Sequence, residues 1–257
     1  MKRFLLFIAV LILSFSCKER KNDKLIIATA ANMQFAVKEI IKQFSEQTGV
    51  GCEIVVGSSG KLTAQIKEGA PYDVFISADM KYPKELFNSG FTNEKAKTYA
   101  YGKLVLWTMN DEIIPSIDSL TSKNIKHIAI ANPKMAPYGI AAKESLEYYN
   151  IFDKIESKLV FGESISQTNR FITSNAAQIG LTAKSVVLSP QMKGKGNWIE
   201  IDTKTYSPIA QGIVILKNKR NNSEKANQFY NFIFSDKGKN VLINFGYLID
   251  EQIRRKN

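Results

Sequence analysis

Short apolar runs alternate with segments of helical periodicity through the first third of the chain. Residues 24–28, 52–56 and 73–77 are apolar runs of strand length. Between the first two, the apolar positions from Met33 to Phe44 recur at helical spacing, and a second helical segment follows Ser59. The order β-loop-α-β-loop-α-β predicts a parallel sheet with helices on both faces, whose ligand loops lie at the carboxyl ends of the strands.

A second series of strands and helices follows without a linker. Its predicted strands are 103–108, 128–131, 158–161, 177–181, 198–201 and 209–216. Helices are predicted after Tyr138-Gly139, after Ser164 and near the C-terminus. We expect two lobes joined by crossings near 101–106 and 205–211, with lobe I formed by 24–103 plus 210–257 and lobe II by 104–209. The alternative is two independent domains.

The N-terminus has the layout of a secretory signal. Two basic residues precede the apolar run 4–15, which is too short to cross a bilayer comfortably. Cys17 at its end resembles the lipidated cysteine of a bacterial lipobox, although Ser14 stands where a leucine is usual. We therefore predict a lipoprotein signal peptide at 1–17, a tether at 18–23, and a protein anchored at the periplasmic membrane or cell surface. The alternative is a secreted soluble protein.

Net charge limits the kinds of ligand that the chain can attract, and cysteine content limits the disulfides that it can form. The chain has 257 residues, with 35 Lys and Arg against 24 Asp and Glu, a net charge of +11. The basic residues are scattered, which predicts a mild attraction for anionic ligands and no nucleic-acid surface. If Cys17 carries lipid, only Cys52 remains, so no intrachain disulfide is expected. Cys52 lies within a predicted strand and is interpreted as a small buried apolar residue.

Motifs of catalysis are poorly represented. His127 is the only histidine, so triads and multi-histidine metal sites would all depend on it. The segment 57–61 lacks the spacing of a phosphate-binding loop, and Ser59 lacks the G-x-S-x-G context of a nucleophile elbow. Asp73 and Asp79 are better interpreted as strand-capping residues than as an acid–base pair. We predict no catalytic residue; a cell-surface enzyme using Ser59 or the two aspartates is the competing hypothesis.

Four predicted helix starts follow strands, at Asn32, Ser58-Ser59, Tyr138-Gly139 and Ser164-Ile165. Each alone is an ordinary helix cap. If two come from each lobe and face one cleft, their N–H and hydroxyl groups form a cage of neutral donors at positive helix ends. Such a cage suits a small, fully ionised tetrahedral anion. A protonated phosphate would bury an O–H without an acceptor, at a cost of about 1–3 kcal/mol.

The same regions resemble the periplasmic molybdate-binding proteins of ABC importers, over nearly all of the chain after the tether. The most specific segment is Ile66-Lys-Glu-Gly-Ala-Pro-Tyr-Asp-Val-Phe-Ile-Ser-Ala-Asp79. Weaker matches are Ala28-Thr-Ala-Ala-Asn-Met33, Phe44-Ser-Glu-Gln-Thr-Gly49, Gly57-Ser-Ser-Gly-Lys-Leu62, Ala131-Asn-Pro, Pro137-Tyr-Gly-Ile-Ala-Ala142 and Gly180-Leu-Thr. The resemblance implies an α/β, two-lobed periplasmic-binding-protein fold, each lobe a mixed, mostly parallel sheet flanked by helices.

The resemblance also implies a function and a ligand set. It implies a monomer that captures molybdate or tungstate and passes it to a membrane permease, without catalysis or cofactor. The oxyanion ligands implied are Ala31, Asn32, Ser58, Ser59, Tyr138 and Ile165; Asn32, Ser59, Tyr138 and Ile165 approach the metal only through its oxygens. Some family members add a tyrosine where Ala183 stands, so one donor is missing here. Alternatives are a carrier of sulfate or another small solute, and the ligand-sensing domain of a transcription regulator.

Overall fold

A computed structural model describes residues 24–218, 220 and 222–249 of the chain. The predicted signal peptide 1–17, its Cys17 and the tether 18–23 lie outside these residues. Within the described residues, no helix is both long enough and apolar enough to cross a membrane.

The first sheet has five strands in the order β2-β1-β3-β10-β4. They are β1 Leu25–Ala30, β2 Cys52–Gly57, β3 Val74–Ile76, β4 Lys97–Gly102 and β10 Ile209–Ile215. Strand β1 pairs in parallel with β2 and β3, whereas β10 pairs antiparallel with β3 and β4. The last of these strands therefore returns to the sheet formed by the first part of the chain, as the sequence predicts.

The second sheet repeats this arrangement, with the order β7-β6-β8-β5-β9. Its strands are β5 Leu104–Thr108, β6 Ile128–Ala131, β7 Leu159–Gly162, β8 Ile179–Ala183 and β9 Asn197–Glu200. Strand β6 pairs in parallel with β7 and β8, and β5 pairs antiparallel with β8 and β9. The predicted pair of mixed, helix-flanked sheets is thus confirmed, with the parallel pairs grouped around β1 and β6.

Helices cover both sheets. Those following first-sheet strands are α1 Gln34–Thr48, α2 Ser59–Lys67, α3 Lys81–Asn88, α8 Ser223–Phe234 and α9 Asp236–Asn244. Those of the second half are α4 Pro137–Tyr148, α5 Phe152–Ile155, α6 Ile165–Thr173 and α7 Lys184–Val187. Short 3-10 turns occupy 31–33, 118–121, 156–158 and 203–205. Helix α3 was not predicted, because its apolar positions are few and Pro83 lies in its first turn.

The buried apolar residues form a core in each lobe. On the first sheet, Phe44 of α1 contacts Phe229 of α8 edge-to-face, with ring centroids 5.3 Å apart. In the second sheet, Trp107 is fully buried near the end of β5. Helix α1 ends at Gly49, whose positive φ of 73° closes the last turn, as the Thr48-Gly49 pair predicts. Apolar burial on both faces is what makes each sheet and its helices a layered unit.

The two sheets are joined by short crossings. Only residue 103 separates β4 from β5, and residues 206–208 separate the last 3-10 turn from β10. The second connection begins after β9, at residue 201, and both connections overlap the crossings expected near 101–106 and 205–211. We call the first sheet with its helices the first lobe, and the second sheet with its helices the second lobe. The boundaries between the two lobes, after residues 103 and 209, remain our prediction.

Candidate oxyanion-binding site

A small cleft lies between the two lobes, and all six predicted ligand residues line it. Its lining comprises Ala30, Ala31, Asn32, Ser58, Ser59, Ala78, Ala136, Pro137, Tyr138 and Ile165. The empty volume is about 200 Å³, open solvent included, so the enclosed space is small. The structure thus brings together residues that are more than a hundred positions apart, in a space suited to a very small solute.

The first wall of the cleft is the turn after β1. Ala31, Asn32 and Met33 form a 3-10 turn that leads directly into α1. Asn32 was expected near a helix N-cap, but it lies inside this turn, and Ala30 occupies the cap position without a side-chain hydrogen bond. The first N–H groups of such a turn have no acceptor within it, so they are available to a ligand.

Ser58 and Ser59 have different roles at the second wall. Ser58 is the N-cap of α2, and its Oγ accepts a hydrogen bond from the Lys61 N–H at 3.4 Å. The Oγ of Ser59 accepts from the Ala78 N–H at 3.0 Å. Because the Ser59 oxygen is already an acceptor, its hydroxyl hydrogen is the group that remains to donate. Both serines are buried, so a donor at this position is shielded from water.

The third wall is the start of α4. Pro137 occupies the first turn, followed by Tyr138 and Gly139. A Cβ on Gly139 would lie 2.2 Å from the Ala131 carbonyl oxygen, so glycine allows α4 to begin against the end of β6. The Tyr138 hydroxyl is turned into the protein, where it accepts a hydrogen bond from Gln211 Nε2 at 3.2 Å. Because the hydroxyl lies against the buried Gln211 side chain, we assign the backbone N–H, in the first turn, as the donor that Tyr138 offers to the cleft.

The fourth wall is the start of α6. Ser164 caps this helix by accepting from the Gln167 N–H at 3.4 Å, as the capping-box spacing predicts. In return, the Gln167 side chain bonds to the residue before the cap: its Oε1 accepts from the Glu163 N–H at 2.7 Å. Ile165 is the first residue of the helix and is buried, so its backbone N–H is a first-turn donor without an intrahelical acceptor.

A buried network of side chains lies behind the cleft. Asn32 Nδ2 donates to Gln211 Oε1 at 2.9 Å and to the Tyr247 hydroxyl at 3.0 Å. The Asn32 carbonyl oxygen accepts from the Tyr247 hydroxyl at 3.0 Å and from Ser185 Oγ at 2.8 Å. Both amide hydrogens of Asn32 thus have protein acceptors, which leaves the backbone N–H as the donor that Asn32 can offer the cleft.

The sequence interpretation missed Gln211, Tyr247 and Ser185. The signal for Gln211 was present, since it is the only polar side chain within Ile209-Ala-Gln-Gly-Ile-Val-Ile215. A lone buried amide in an apolar strand needs hydrogen-bond partners. The partners themselves come from distant segments, which no local pattern connects.

The cleft is neutral. Tyr138 is the only ionisable side chain among the described lining residues. Burial raises the pKa of its hydroxyl well above the ordinary value, and the neighbouring Tyr247 acts in the same direction. Burial likewise raises the pKa of Tyr247 and of Tyr99. These hydroxyls are therefore neutral hydrogen-bonding groups at physiological pH.

Two contacts close the mouth of the cleft across the lobes. The Gly60 N–H, in the first turn of α2, donates to the Met135 carbonyl at 3.1 Å. Next to it, Lys61 Nζ lies 3.3 Å from Glu163 Oε2, and both side chains are more than half exposed. The lobes are thus in contact around the site.

The residues considered for catalysis are dispersed. Asp73 and Asp79 flank opposite ends of β3, so they do not form a pair. Asp73 accepts from the Ile26 N–H at 2.7 Å and from Asn218 Nδ2 at 2.9 Å. These bonds connect β1 and the segment after β10 to the start of β3. Asp79 accepts from Ser77 Oγ and from the Tyr82 N–H at the start of α3. Both make the structural contacts expected of them, and His127 is exposed just before β6.

Other metal and thiol chemistry finds no support in the described residues. They contain no group of three His, Cys, Asp or Glu side chains that is able to hold a metal ion. Cys52 is free and half-buried rather than fully buried, because β2 is an edge strand. Burial raises its pKa to about 11, so the thiol is protonated and weakly nucleophilic at neutral pH.

The chain is similar to known binding proteins along nearly all of its described length. It is 34% identical over 228 residues to the molybdate-binding protein ModA of Rhodobacter capsulatus, covering 88% of this chain and 89% of that protein. It is 30% identical over 237 residues to a putative ABC transporter substrate-binding lipoprotein, YvgL, of Bacillus subtilis (strain 168), covering 90% of this chain and 89% of that protein.

Structural comparison agrees. The periplasmic molybdate-binding protein of Azotobacter vinelandii superposes with a TM-score of 0.83 at 33% identity, covering 88% of this chain and 99% of that chain. Residues 25–248 match the family model described as bacterial extracellular solute-binding protein. With two mixed sheets, a cleft between them and these relatives, the chain belongs to the family of bacterial extracellular solute-binding proteins.

Proposed function

We propose that this chain captures molybdate or tungstate between its two lobes and delivers it to the permease of an ABC importer. The observation that carries the proposal is the convergence of four strand-end turns on one small, neutral cleft. The relatives in Rhodobacter and Azotobacter, whose names describe them as molybdate-binding, support the choice of oxyanion. In this function the chain acts as a monomeric carrier and performs no catalysis.

The donors assigned to the oxyanion come from both lobes. The first lobe supplies the backbone N–H groups of Ala31 and Asn32 and the hydroxyl of Ser59, with Ser58 capping the adjacent helix. The second lobe supplies the backbone N–H groups of Tyr138 and Ile165. Each donor lies in or beside the first turn of a helix, where helix dipoles favour negative charge.

Preference for a fully ionised anion follows from the donor set. The described lining has no carboxylate, so a protonated oxyanion would bury an O–H next to donors alone. Molybdate and tungstate are dianions at neutral pH and present acceptors on every oxygen. Sulfate is also a dianion with the same geometry, so it is the second candidate solute, distinguished from the first two by size.

Thermal unfolding of the protein beginning at Lys24 tests this function. The scans include molybdate, tungstate, sulfate or phosphate, each well above its expected dissociation constant. A ligand at a hundred times its dissociation constant stabilises the folded state by about 2.7 kcal/mol. We expect molybdate and tungstate to raise the melting temperature, and phosphate to leave it unchanged. A shift with sulfate alone would change the assigned solute, and no shift with any of the four would refute the oxyanion function.

We also propose that Cys17 carries the lipid that anchors the protein. The similarity to a lipoprotein of Bacillus subtilis supports this assignment. Cys17→Ala should release the protein from the membrane fraction of cells that express the full chain. A variant that stays in the membrane fraction would remove the anchor from Cys17.

A further inference from the structure

Gln211 makes hydrogen bonds to residues from both lobes. Its Oε1 accepts from Asn32 Nδ2 and from the Tyr99 hydroxyl, each at 2.9 Å. Its Nε2 donates to the Tyr138 hydroxyl at 3.2 Å. Asn32 and Tyr99 belong to the first lobe, as does Gln211 itself, whereas Tyr138 belongs to α4 of the second lobe. One side chain is therefore bonded to a ligand turn of each lobe.

The backbone around Gln211 is shaped for this position. The pairing of β10 with β4 shifts register between Gln211 and Gly212, so Ala100 pairs with the first and Thr98 with the second. Tyr99 is the extra residue of this bulge, and its hydroxyl contacts Gln211. Bulges of this kind redirect side chains next to binding sites. Gln211 is fully buried, so its amide depends on these partners entirely.

Gly102 leaves the space in which the two lobes meet. A Cβ at this position would lie 2.1 Å from the Tyr138 hydroxyl oxygen and 2.6 Å from Gln211 Nε2. Gly102 is the last residue of β4, one residue before the crossing to β5. The hydrogen bond between Gln211 and Tyr138 is thus formed directly beside the connection about which the lobes are joined.

We propose that Gln211 is a positioning residue that latches the closed form of the cleft. The inference rests on the proposed function. The Gln211–Tyr138 bond joins the lobes, so it stabilises the closed form over any form in which Tyr138 moves away from the first lobe. Through Asn32, the same side chain orients the first-lobe turn that faces the ligand. None of these side-chain bonds is assigned to the oxyanion, yet all of them set how long it is retained.

A second buried bond acts in parallel. Ser185 Oγ, from α7 of the second lobe, donates to the Asn32 carbonyl of the first lobe at 2.8 Å. Ser185 bonds directly to the turn that contains Asn32, and the Gln211–Tyr138 bond is connected to the same turn through Gln211. The latch therefore remains partly in place when one of them is removed, which limits the expected effect of a single substitution to the value of one hydrogen bond.

The test compares the release rate of molybdate from the wild-type protein, Tyr138→Phe and the matched control Tyr72→Phe. Tyr138→Phe keeps the backbone N–H that faces the cleft and removes only the hydroxyl that Gln211 holds. The Tyr72 hydroxyl also makes a side-chain hydrogen bond, to Gln65 Oε1 at 3.0 Å, but within the first lobe and outside the cleft. Stopped-flow chase experiments would measure the association and release rates separately.

We expect Tyr138→Phe to release molybdate about two- to tenfold faster, the factor that a single neutral hydrogen bond contributes. The release rate of Tyr72→Phe should equal that of the wild-type protein, because the bond lost there lies within the first lobe. Gly102→Ala, which retains every polar group but displaces the bond, should also speed release. Gln211→Met combined with Tyr138→Phe should speed release no more than Gln211→Met alone, because the two residues share one bond.

Two results would overturn the latch. One is an unchanged release rate in Tyr138→Phe while the wild-type protein binds molybdate. The other is a loss of affinity that lies entirely in the association rate. If the wild-type protein itself binds no oxyanion, the proposed function fails instead, so the two failures are distinguishable.

Discussion

At the scale of single residues, the two neighbouring serines show how burial and hydrogen bonding assign different tasks to identical side chains. Ser58 Oγ accepts from the N–H of Lys61 and stabilises the start of α2. Ser59 Oγ accepts from the N–H of Ala78, which follows strand β3, and this leaves its hydrogen for a ligand. The sequence predicted both serines at a helix start. Only the contact of Ser59 with Ala78 distinguishes Ser58, the helix cap, from Ser59, the donor that we assign to the ligand.

Ser59→Ala should weaken molybdate binding by about 1–3 kcal/mol, because one buried donor is lost while the oxyanion stays desolvated. The matched variant Ser58→Ala loses a helix cap instead and should lower the free energy of unfolding by about 0.5–2 kcal/mol. Isothermal titration calorimetry and urea unfolding on both variants measure the two effects. Equal loss of affinity in the two variants would contradict the separation of roles.

At the scale of elements, the cleft depends on how closely helices begin to the ends of strands. Helix α4 starts against β6 because Gly139 has no Cβ, and its backbone is packed on the Ala131 carbonyl. The proline at the first turn, Pro137, costs no hydrogen bond there. Sequence patterns predicted the existence of α4 and its start, but the closeness of its approach to β6 is a property of packing.

Gly139→Ala should therefore disturb both stability and binding. The added methyl meets a backbone oxygen that has no freedom to rotate away, and overpacking of this kind costs about 1–3 kcal/mol. Gly51→Ala is the control, since its Cβ would meet only the flexible Lys24 side chain at 3.4 Å. Urea unfolding and molybdate titration of both variants measure the difference. Wild-type stability in Gly139→Ala would show that the helix start moves freely.

At the scale of the whole molecule, closure relies on buried contacts more than on the ion pair at the rim. Lys61 and Glu163 lie across the mouth of the cleft with side chains 51% and 66% exposed. Exposed pairs contribute about 0–1 kcal/mol and are screened by salt. The cross-lobe hydrogen bonds of Gln211 and Ser185 are buried, so they are shielded from water and from dissolved salt.

Lys61→Met should therefore reduce molybdate affinity less than Ser59→Ala does, by no more than about fivefold at low salt. Titrations at low and high ionic strength are the measurement. The difference between Lys61→Met and the wild-type protein should shrink as salt is added, because screening removes the contribution of the pair. A loss that equals that of Ser59→Ala and persists at high salt would assign Lys61 a direct part in the site.

The sequence by itself determined the features that depend on local periodicity and local hydrogen bonding. Alternating apolar runs and helical segments predicted sheets flanked by helices, the family resemblance implied that these sheets are mixed, and capping residues indicated helix starts at Ser58 and Ser164. The specific segment 66–79 indicated the family. These features are readable because strand and helix periods, and the needs of unpaired N–H groups, act within a few residues.

Tertiary structure alone decided which groups meet at the cleft and what each has left to offer. The hydroxyl of Tyr138 and the amide of Asn32 were equally open as ligand donors until their bonds with Gln211 turned both into the protein. Those partners are 73 and 179 positions away in the chain. Which partner each polar group meets depends on distances that the folded chain sets and that no local pattern contains.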